Sequence, residues 1–347
     1  MQRYGIIFLF VIILITSFGC KDRKKINIKL KETEKVKLDL KIIRFDRMMA
    51  TLNTENFESK LKEIESKAPE MYKLYIEQVT RAGLVNDQMY IKRLKPFVLD
   101  EYSQELYSDV WKKFPDLKKT ENQLSEVFSY INHYFPKDTI PKFYSMVSNF
   151  FHEANCSDNM IIVSLDLFLG ADYKYYLDTR LFPNYKRVCQ REEYMLPLMI
   201  KAYFELRFPE KENSSGDLLS QMIYQGKMLY YLDLMMPGLE DSIKIEYSQK
   251  QLDWADKYEG LIWNQLIKNN VLYSTEEMKT SRYLGEAPFT NAPGMPQETP
   301  PRIGAWVGWQ IVKKYVEKNK NVSLIKVFSE KNAQIILSVS GYKPKIR

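Results

Sequence analysis

The chain's only two histidines are the first candidates for catalytic or metal-binding chemistry. His152 opens the run His152-Glu153-Ala154-Asn155-Cys156, which resembles the HExxH box of zinc peptidases with Cys in place of the second His. That box needs a helix, so that residues i and i+4 reach one metal. This run instead lies between two apolar, β-branched stretches, which predicts a hairpin loop. The sequence therefore predicts no metal site here.

Other catalytic signatures are missing. The sequence has no G-x-S-x-G, no P-loop and no G-x-G-x-x-G. His133 follows the apolar face of a predicted helix, which favours a packing or capping role. Cys156 and Cys189 could form a disulfide if the chain is exported, but their spacing leaves the question open. We expect no catalytic residue and no cofactor, and so a protein that is not an enzyme.

The net charge of +7, from 51 basic and 44 acidic residues, is unevenly distributed. Residues 1–44 hold eleven basic and four acidic residues, whereas the other 303 hold 40 of each. A basic protein often binds nucleic acid, but a neutral body argues against that partner. The excess charge instead marks the N-terminal stretch as a separate functional unit.

That stretch begins like an export signal. Arg3 precedes ten apolar residues, Ile6–Ile15, and small residues lead to Gly19-Cys20. The run is too short to span a membrane and fits a signal peptide over residues 1–19. Cleavage would make Cys20 the first residue, where acyl chains would hold the protein on a membrane. The alternative is an ordinary secretory signal with an incidental Cys.

Residues 20–35 are rich in lysine and poor in apolar residues, which predicts a flexible basic tether. Its lysines could attract acidic head groups or act only as a solvated spacer. The alternation of apolar and polar residues over 36–42 predicts a first strand, so a single globular domain is expected over 36–347.

The body is predicted to be α+β and predominantly helical, with a small antiparallel sheet. Two strand-like runs, 143–147 and 160–165, flank the polar turn 155–159 and predict a hairpin. Residues 288–301 hold five prolines and predict a long ordered loop. Apolar residues at helical spacing predict the helices, which cover 57–68, 71–79, 117–131, 193–208, 217–235, 249–271, 301–317 and 323–338.

Four blocks resemble the GldB family of gliding-motility lipoproteins. The most specific is the run from Pro300 to Tyr315, PPRIGAWVGWQIVKKY. The others are IRFDR at 43–47, LDLFLG at 165–170, and AQIILS at 333–338 followed by YKP at 342–344. The candidate structural or interaction residues in these blocks are Asp166, Arg302, Gly304, Trp306, Gly308 and Trp309.

This resemblance implies a lipid-anchored protein of the cell envelope, on the outer membrane and facing the periplasm. It also implies a role in gliding motility and the secretion machinery that shares its components. The expected partners are the membrane, through the anchor, and other proteins of that machinery. The aromatic-rich region Tyr283–Trp309 would offer a binding surface if its rings were exposed, and would pack the core if they were buried.

The family is similar in layout to zinc-peptidase-like domains, which implies a degenerate zincin-like fold. The helix over 196–204 contains no His, and Gln225-Gly226 stands where a Glu-Gly pair would supply a ligand. A neutral amide is a poor zinc ligand. Two alternatives to a non-enzymatic anchored protein remain: an envelope hydrolase with a non-standard site, and a module that binds cell-wall sugars or polysaccharides.

Overall fold

The computed structural model describes residues 30–31, 36–151, 154–157, 159–178, 180 and 182–346. The predicted signal peptide, Cys20, most of the tether and the pair His152-Glu153 lie outside these residues. In the described part of the chain, no helix is both long and apolar enough to cross a membrane.

A mixed sheet lies in the N-terminal half. Its strands are β1 (Ile42–Arg44), β2 (Lys142–Met146), β3 (Ala154–Ser157) and β4 (Met160–Ser164), in the spatial order β1-β2-β4-β3. β1, β2 and β4 are mutually parallel, and β3 pairs antiparallel with β4. Every residue of β4 is buried, which is typical of a strand covered on both faces.

Helices make up the rest of the described regular structure. A π-helical turn, Tyr75–Val79, extends α3, and a short 3-10 helix, Leu165–Leu167, follows β4. The helices are α1 (Phe45–Ala50), α2 (Phe57–Lys67), α3 (Pro69–Leu74), α4 (Tyr90–Leu99), α5 (Glu101–Lys113), α6 (Lys118–Tyr134), α7 (Asn184–Arg187), α8 (Glu192–Arg207), α9 (Glu210–Asn213), α10 (Leu218–Met235), α11 (Asp241–Ile245), α12 (Gln249–Lys257), α13 (Glu259–Lys268), α14 (Glu277–Leu284), α15 (Ile303–Lys318), α16 (Leu324–Ser329) and α17 (Ala333–Ser340).

The predicted fold class is confirmed, since the structure is 58% helical with a small sheet. The predicted pairing of 143–147 with 160–165 as a hairpin is wrong, because β2 and β4 are parallel. The chain reverses through β3, and the hairpin is β3–β4. A run of β-branched and aromatic residues identifies a strand but not its direction, and 12 residues lie between the two runs, enough for an extra strand.

The strand predicted over 36–42 is also displaced. Only Ile42–Arg44 is a strand, and side chains of α6 bind the chain that leads into it. The N–H of Leu40 donates to Ser125 Oγ at 3.0 Å, and the N–H of Ile42 donates to Glu121 Oε1 at 3.0 Å. These side chains take the place of a neighbouring strand.

Most helix predictions are confirmed within a few residues, with two changes. The helices predicted over 249–271 and 323–338 are each broken, into α12 with α13 and α16 with α17. The sequence pattern also did not predict α5 or α4, the latter of which contains Pro96 and buries only Leu94 and Val98. The loop predicted over 288–301 is ordered: Thr290 N–H donates to the Thr299 carbonyl at 3.0 Å, and the Thr290 hydroxyl donates to the Pro300 carbonyl at 2.6 Å.

Candidate functional site

The three parallel strands end at one edge of the sheet, where two buried carboxylates meet a strained loop. Asp46 lies two residues beyond β1, Ser148 two residues beyond β2, and Asp166 two residues beyond β4. The carboxyl ends of parallel strands are a common place for binding sites. We call Asp46, Asp166 and the loop Ser148–Phe151 the carboxyl-edge site.

Asp46 is fully buried and its charge is paired. The Arg44 guanidinium donates two parallel hydrogen bonds, from Nε to Asp46 Oδ1 at 2.9 Å and from a terminal nitrogen to Oδ2 at 2.7 Å. The Ser145 hydroxyl, on β2, donates to Oδ1 at 2.5 Å. The Arg44 guanidinium also donates to the Phe114 carbonyl at 2.9 Å. Charge-assisted, bidentate pairs of this kind hold geometry firmly, so Asp46 fixes the start of α1 against β2.

Asp166 is also fully buried, but backbone amides hold its carboxylate. The N–H of Ser148 donates to Oδ1 at 3.1 Å, and the N–H of Phe150 donates to Oδ2 at 2.8 Å. Burial raises the pKa of Asp166 to about 6: the two amides pull the pKa down and the nearby charge of Asp46 pushes it up further. Asp166 therefore clamps the loop that leaves β2.

That loop is strained. Asn149 and Phe150 have φ of 53° and 69°, in the left-handed region that non-glycine residues rarely adopt. The Asn149 amide is anchored by a 3.0 Å hydrogen bond to Ser103 Oγ, on α5. Backbone strain persists only where surrounding contacts enforce it, and it is concentrated at functional sites. Its consequence here is that Phe151 points to solvent with 70% of its surface exposed.

An aromatic cluster surrounds the ring of Phe150, the residue before Phe151. The Phe150 ring is 5.5 Å from Tyr176 and 5.4 Å from Phe182, both edge-on. Tyr176 is buried, and its hydroxyl donates to the Asp166 carbonyl and accepts from the N–H of Leu169 at 3.2 Å. The rings thus connect the loop to the segment after β4. The cluster supports an exposed phenyl ring on a rigid base, an arrangement suited to contact with another molecule.

The arrangement is suited to binding rather than proton transfer. Asp166 has no exposed surface and both its oxygens accept backbone hydrogen bonds. It therefore positions other residues. Among the described residues, no group of three or more His, Cys, Asp or Glu side chains could hold a metal ion. Cys156 and Cys189 are not joined by a disulfide, and burial raises the pKa of Cys189 to about 12.

The residues highlighted in the Pro300–Tyr315 block lie in the core. Trp306 and Trp309 are each 1% exposed, as is Tyr283, so this aromatic region packs rather than presenting its rings. The Trp309 indole N–H donates to Asp233 Oδ2, on α10, at 2.8 Å. The Lys313 ammonium lies 3.4 Å from the Trp309 ring centre. These contacts tie α15 to α10.

Two glycines set the distance between α10 and α15. A Cβ built on Gly308 would lie 1.7 Å from the Met222 carbonyl oxygen, and one on Gly226 would lie 2.2 Å from the Gly308 carbonyl carbon. Gly304 is tight as well, with a built Cβ 2.9 Å from the Leu284 side chain. The two helix backbones therefore touch, which only glycine permits.

Arg302 precedes α15 in a left-handed conformation, with φ of 51°. Its guanidinium donates to the Ile245 carbonyl at 2.7 Å and to Glu246 Oε2 at 3.1 Å. The Lys201 ammonium, on α8, pairs with the other Glu246 oxygen. Burial alone would raise the pKa of Glu246, but the charges of Lys201 and Arg302 outweigh it and bring the pKa to about 2. Glu246 is itself left-handed, with φ of 62°.

The four sequence blocks thus form two spatial groups. The blocks at 43–47 and 165–170 supply Asp46 and Asp166 to the carboxyl-edge site, whereas those at 300–315 and 333–338 form the packed helices α15 and α17. The sequence blocks single out Asp166 and Arg302 as candidate residues but not Asp46, Lys201 and Glu246. Each of these three meets a partner far along the chain, and no local spacing signals such a contact.

Comparison with known proteins gives one match. The family model described as "Gliding motility protein GldB" matches residues 26–344. No curated protein and no solved structure matches the chain significantly. The zincin-like ancestry therefore remains a prediction. Because the family model spans nearly all of the sequence, including both spatial groups, the chain belongs to the GldB family of gliding motility proteins.

Proposed function

We propose that this protein is a lipid-anchored component of the cell envelope that supports gliding motility and its associated secretion machinery through protein–protein contacts. Membership of the GldB family supports the motility role. The Gly19-Cys20 sequence after a short apolar run supports the anchor, with the protein on the outer membrane facing the periplasm. The molecule acts without catalysis.

The observation that carries the contact role is Phe151. It is 70% exposed at the tip of a loop whose two preceding residues are held at positive φ by Asp166 and Ser103. An aromatic ring on a rigid base loses little conformational entropy on binding, and aromatic residues are enriched at protein interfaces. The proposed partner is another protein of the motility machinery, which would cover this ring.

The anchor is tested with Cys20→Ala in a gliding strain that lacks the native protein. We expect the variant to leave the membrane fraction and the cells to stop gliding. Normal gliding by cells whose protein is entirely unanchored would contradict the anchoring role.

The contact role is tested separately with Phe151→Asp in the same strain. We expect normal abundance and normal membrane fractionation but loss of gliding, because the variant lacks the ring and places a charge where the partner would bind. The matched control is Met278→Asp, since Met278 is 77% exposed on α14 and belongs to neither motif group. Unimpaired gliding with Phe151→Asp would refute a contact at this loop.

A further inference from the structure

The body is neutral as a whole, but its charge is unevenly distributed, with an excess of basic residues near the C-terminus. Residues 313–347 contain nine basic and two acidic residues, whereas residues 45–312 contain 31 basic and 38 acidic ones. In the described part of this segment, Lys313 is the residue that forms ion pairs, with Asp233 and Asp241. The exposed and unneutralised lysines are Lys318, Lys320, Lys326, Lys331, Lys343 and Lys345.

An apolar row lies among these charges on α17. Ala333 and Ile336 face the core, while Ile335 and Val339 are 46% and 39% exposed. These two residues are four apart, so they share the outer face of the helix. Lys331 lies two residues before the helix and Lys343 three residues after it, so that a lysine stands near each end of α17. Ile346, 62% exposed, adds a third apolar side chain beyond the helix.

The chain after α17 also lines a basic groove. The segment passes so close to α13 that a Cβ on Gly260 would lie 2.2 Å from the Lys345 carbonyl oxygen. A groove of about 540 Å³ lies beside this crossing, with Ile346 at its margin. It is lined by Lys257, Lys314, Lys343 and Lys345, and by the acidic Asp256 and Glu259. The excess of ammonium groups suits a phosphate-bearing head group.

The combination fits an anionic lipid surface better than a protein. Helices that lie in a membrane interface combine an apolar row with flanking lysines, whose stems pack on the apolar surface while the ammonium groups reach the phosphates. Lysine is depleted in protein–protein interfaces. A second copy of the chain would bring two lysine-rich faces together, and their charges would repel. The basic residues before β1 would meet the same lipid surface.

We propose that this C-terminal face, made of Lys331, Ile335, Val339, Lys343 and Ile346, docks the body on an anionic bilayer. The body then has a second membrane contact that does not depend on the acyl anchor. The proposal is independent of the contact at Phe151, which lies in the loop that follows β2.

The test compares hydrogen–deuterium exchange of the full anchored chain on two kinds of vesicle, phosphatidylcholine alone and phosphatidylcholine with phosphatidylglycerol. The anchor is common to both, and exchange is followed separately over residues 331–346, so a difference there reports on the body rather than on the basic tether. We expect exchange over 331–346 to slow severalfold only with phosphatidylglycerol, and to recover at high salt, which screens the lysines. Exchange in α14, which carries the exposed Met278, should be the same on both vesicles.

The variant Ile335→Asp with Val339→Asp should lose this protection while keeping the wild-type melting temperature, because both side chains are exposed. Lys331→Glu with Lys343→Glu should do the same, and Met278→Asp should not. Equal exchange on both vesicles would overturn the proposal. So would protection that appears in detergent without lipid as the protein concentration rises, since that indicates a second copy as the occupant. Neither outcome bears on gliding, so this proposal can be refuted without refuting the contact role of Phe151, and the reverse also holds.

Discussion

The two groups of family blocks are built in opposite ways. At the carboxyl-edge site, the buried Asp166 carboxylate accepts hydrogen bonds from the backbone of a strained loop, and the buried Asp46 accepts one from Ser145 on β2. One aromatic ring, that of Phe151, is exposed on this loop. Between α10, α15 and α17, apolar side chains and glycines bring helices into direct backbone contact, and the tryptophans are enclosed. The block that is easiest to recognise in the sequence therefore serves packing. The residue best placed to meet a partner, Phe151, lies in a loop with no recognisable motif.

The packing of α10, α15 and α17 should be more sensitive than the carboxyl-edge site to the addition of a single methyl group. We expect Gly308→Ala to lower the free energy of unfolding by about 4 kcal/mol or to prevent folding, because its Cβ would meet the Met222 carbonyl oxygen at 1.7 Å. Denaturant unfolding followed by circular dichroism measures this. Gly238→Ala is the control, since a Cβ there has no atom within 4 Å. A wild-type midpoint for Gly308→Ala would show that α10 and α15 can move apart freely.

The Arg302 pair tests whether charge also matters within the helical group. We expect Arg302→Ala to cost about 3 kcal/mol, because it leaves Glu246 with one cationic partner and removes a donor to the Ile245 carbonyl. The pKa of Glu246 should rise from about 2. The stability that this paired carboxylate provides is lost as pH falls through its folded pKa. Because that pKa is higher in the variant, the variant should begin to lose stability at a higher pH than wild type.

Urea unfolding at neutral and acidic pH measures both effects. Arg180→Ala is the control, because its pair with Asp178 is on the surface, with the Arg180 side chain 87% exposed, and should contribute little. If Arg302→Ala proved as stable as Arg180→Ala, the ion pair between Arg302 and Glu246 would contribute no more to stability than a surface pair.

Asp166→Asn probes the carboxyl-edge site through pH. Because burial raises the folded pKa of Asp166 to about 6, its stabilising contribution is complete below its unfolded pKa and is lost as pH rises through about 6. Asn does not titrate. Relative to wild type, the variant should therefore gain about 2 kcal/mol of stability between pH 4 and pH 7. At pH 4 the variant should be less stable than wild type, because Asn has one acceptor oxygen for the two N–H groups of Ser148 and Phe150, and its NH2 group cannot accept the second bond.

Paired unfolding curves across this pH range provide the measurement. Asp178→Asn is the control, because a hydrogen bond from Arg180 lowers the pKa of the partly exposed Asp178, and its change should have the opposite sign. A difference between Asp166→Asn and wild type that does not vary with pH would mean that Asp166 is not the buried acid described here.

The smallest effect on stability should come from the exposed ring itself. Phe151→Ala should change the free energy of unfolding by less than about 0.5 kcal/mol, since the side chain is 70% exposed. Thermal unfolding checks this, with Phe150→Ala as the contrasting neighbour that loses ring contacts with Tyr176 and Phe182. A large loss for Phe151→Ala would place the ring in the core of the site and remove the basis for a contact role.

Several elements could be predicted because their signals are local. The helical spacing of Phe57, Leu61 and Ile64 gave α2, and the proline pair before Ile303 marked the start of α15. The direction of β4 could not be predicted, because a run of β-branched and apolar residues looks the same in parallel and antiparallel strands. For the same reason Asp166 could be named from its block, while Asp46, its buried neighbour 120 residues earlier, could not be linked to it.

By itself, the sequence determined the class of fold, most helices, the uneven charge and the family, since each depends on residue types and short spacings. Tertiary structure alone decided that IRFDR and LDLFLG form one site and that the glycines of α15 meet α10. It also decided that Trp306 and Trp309 are buried while Phe151 is exposed. Burial, pKa and backbone strain arise from contacts between residues far apart in the chain, and these exist only once the sheet and helices have packed together.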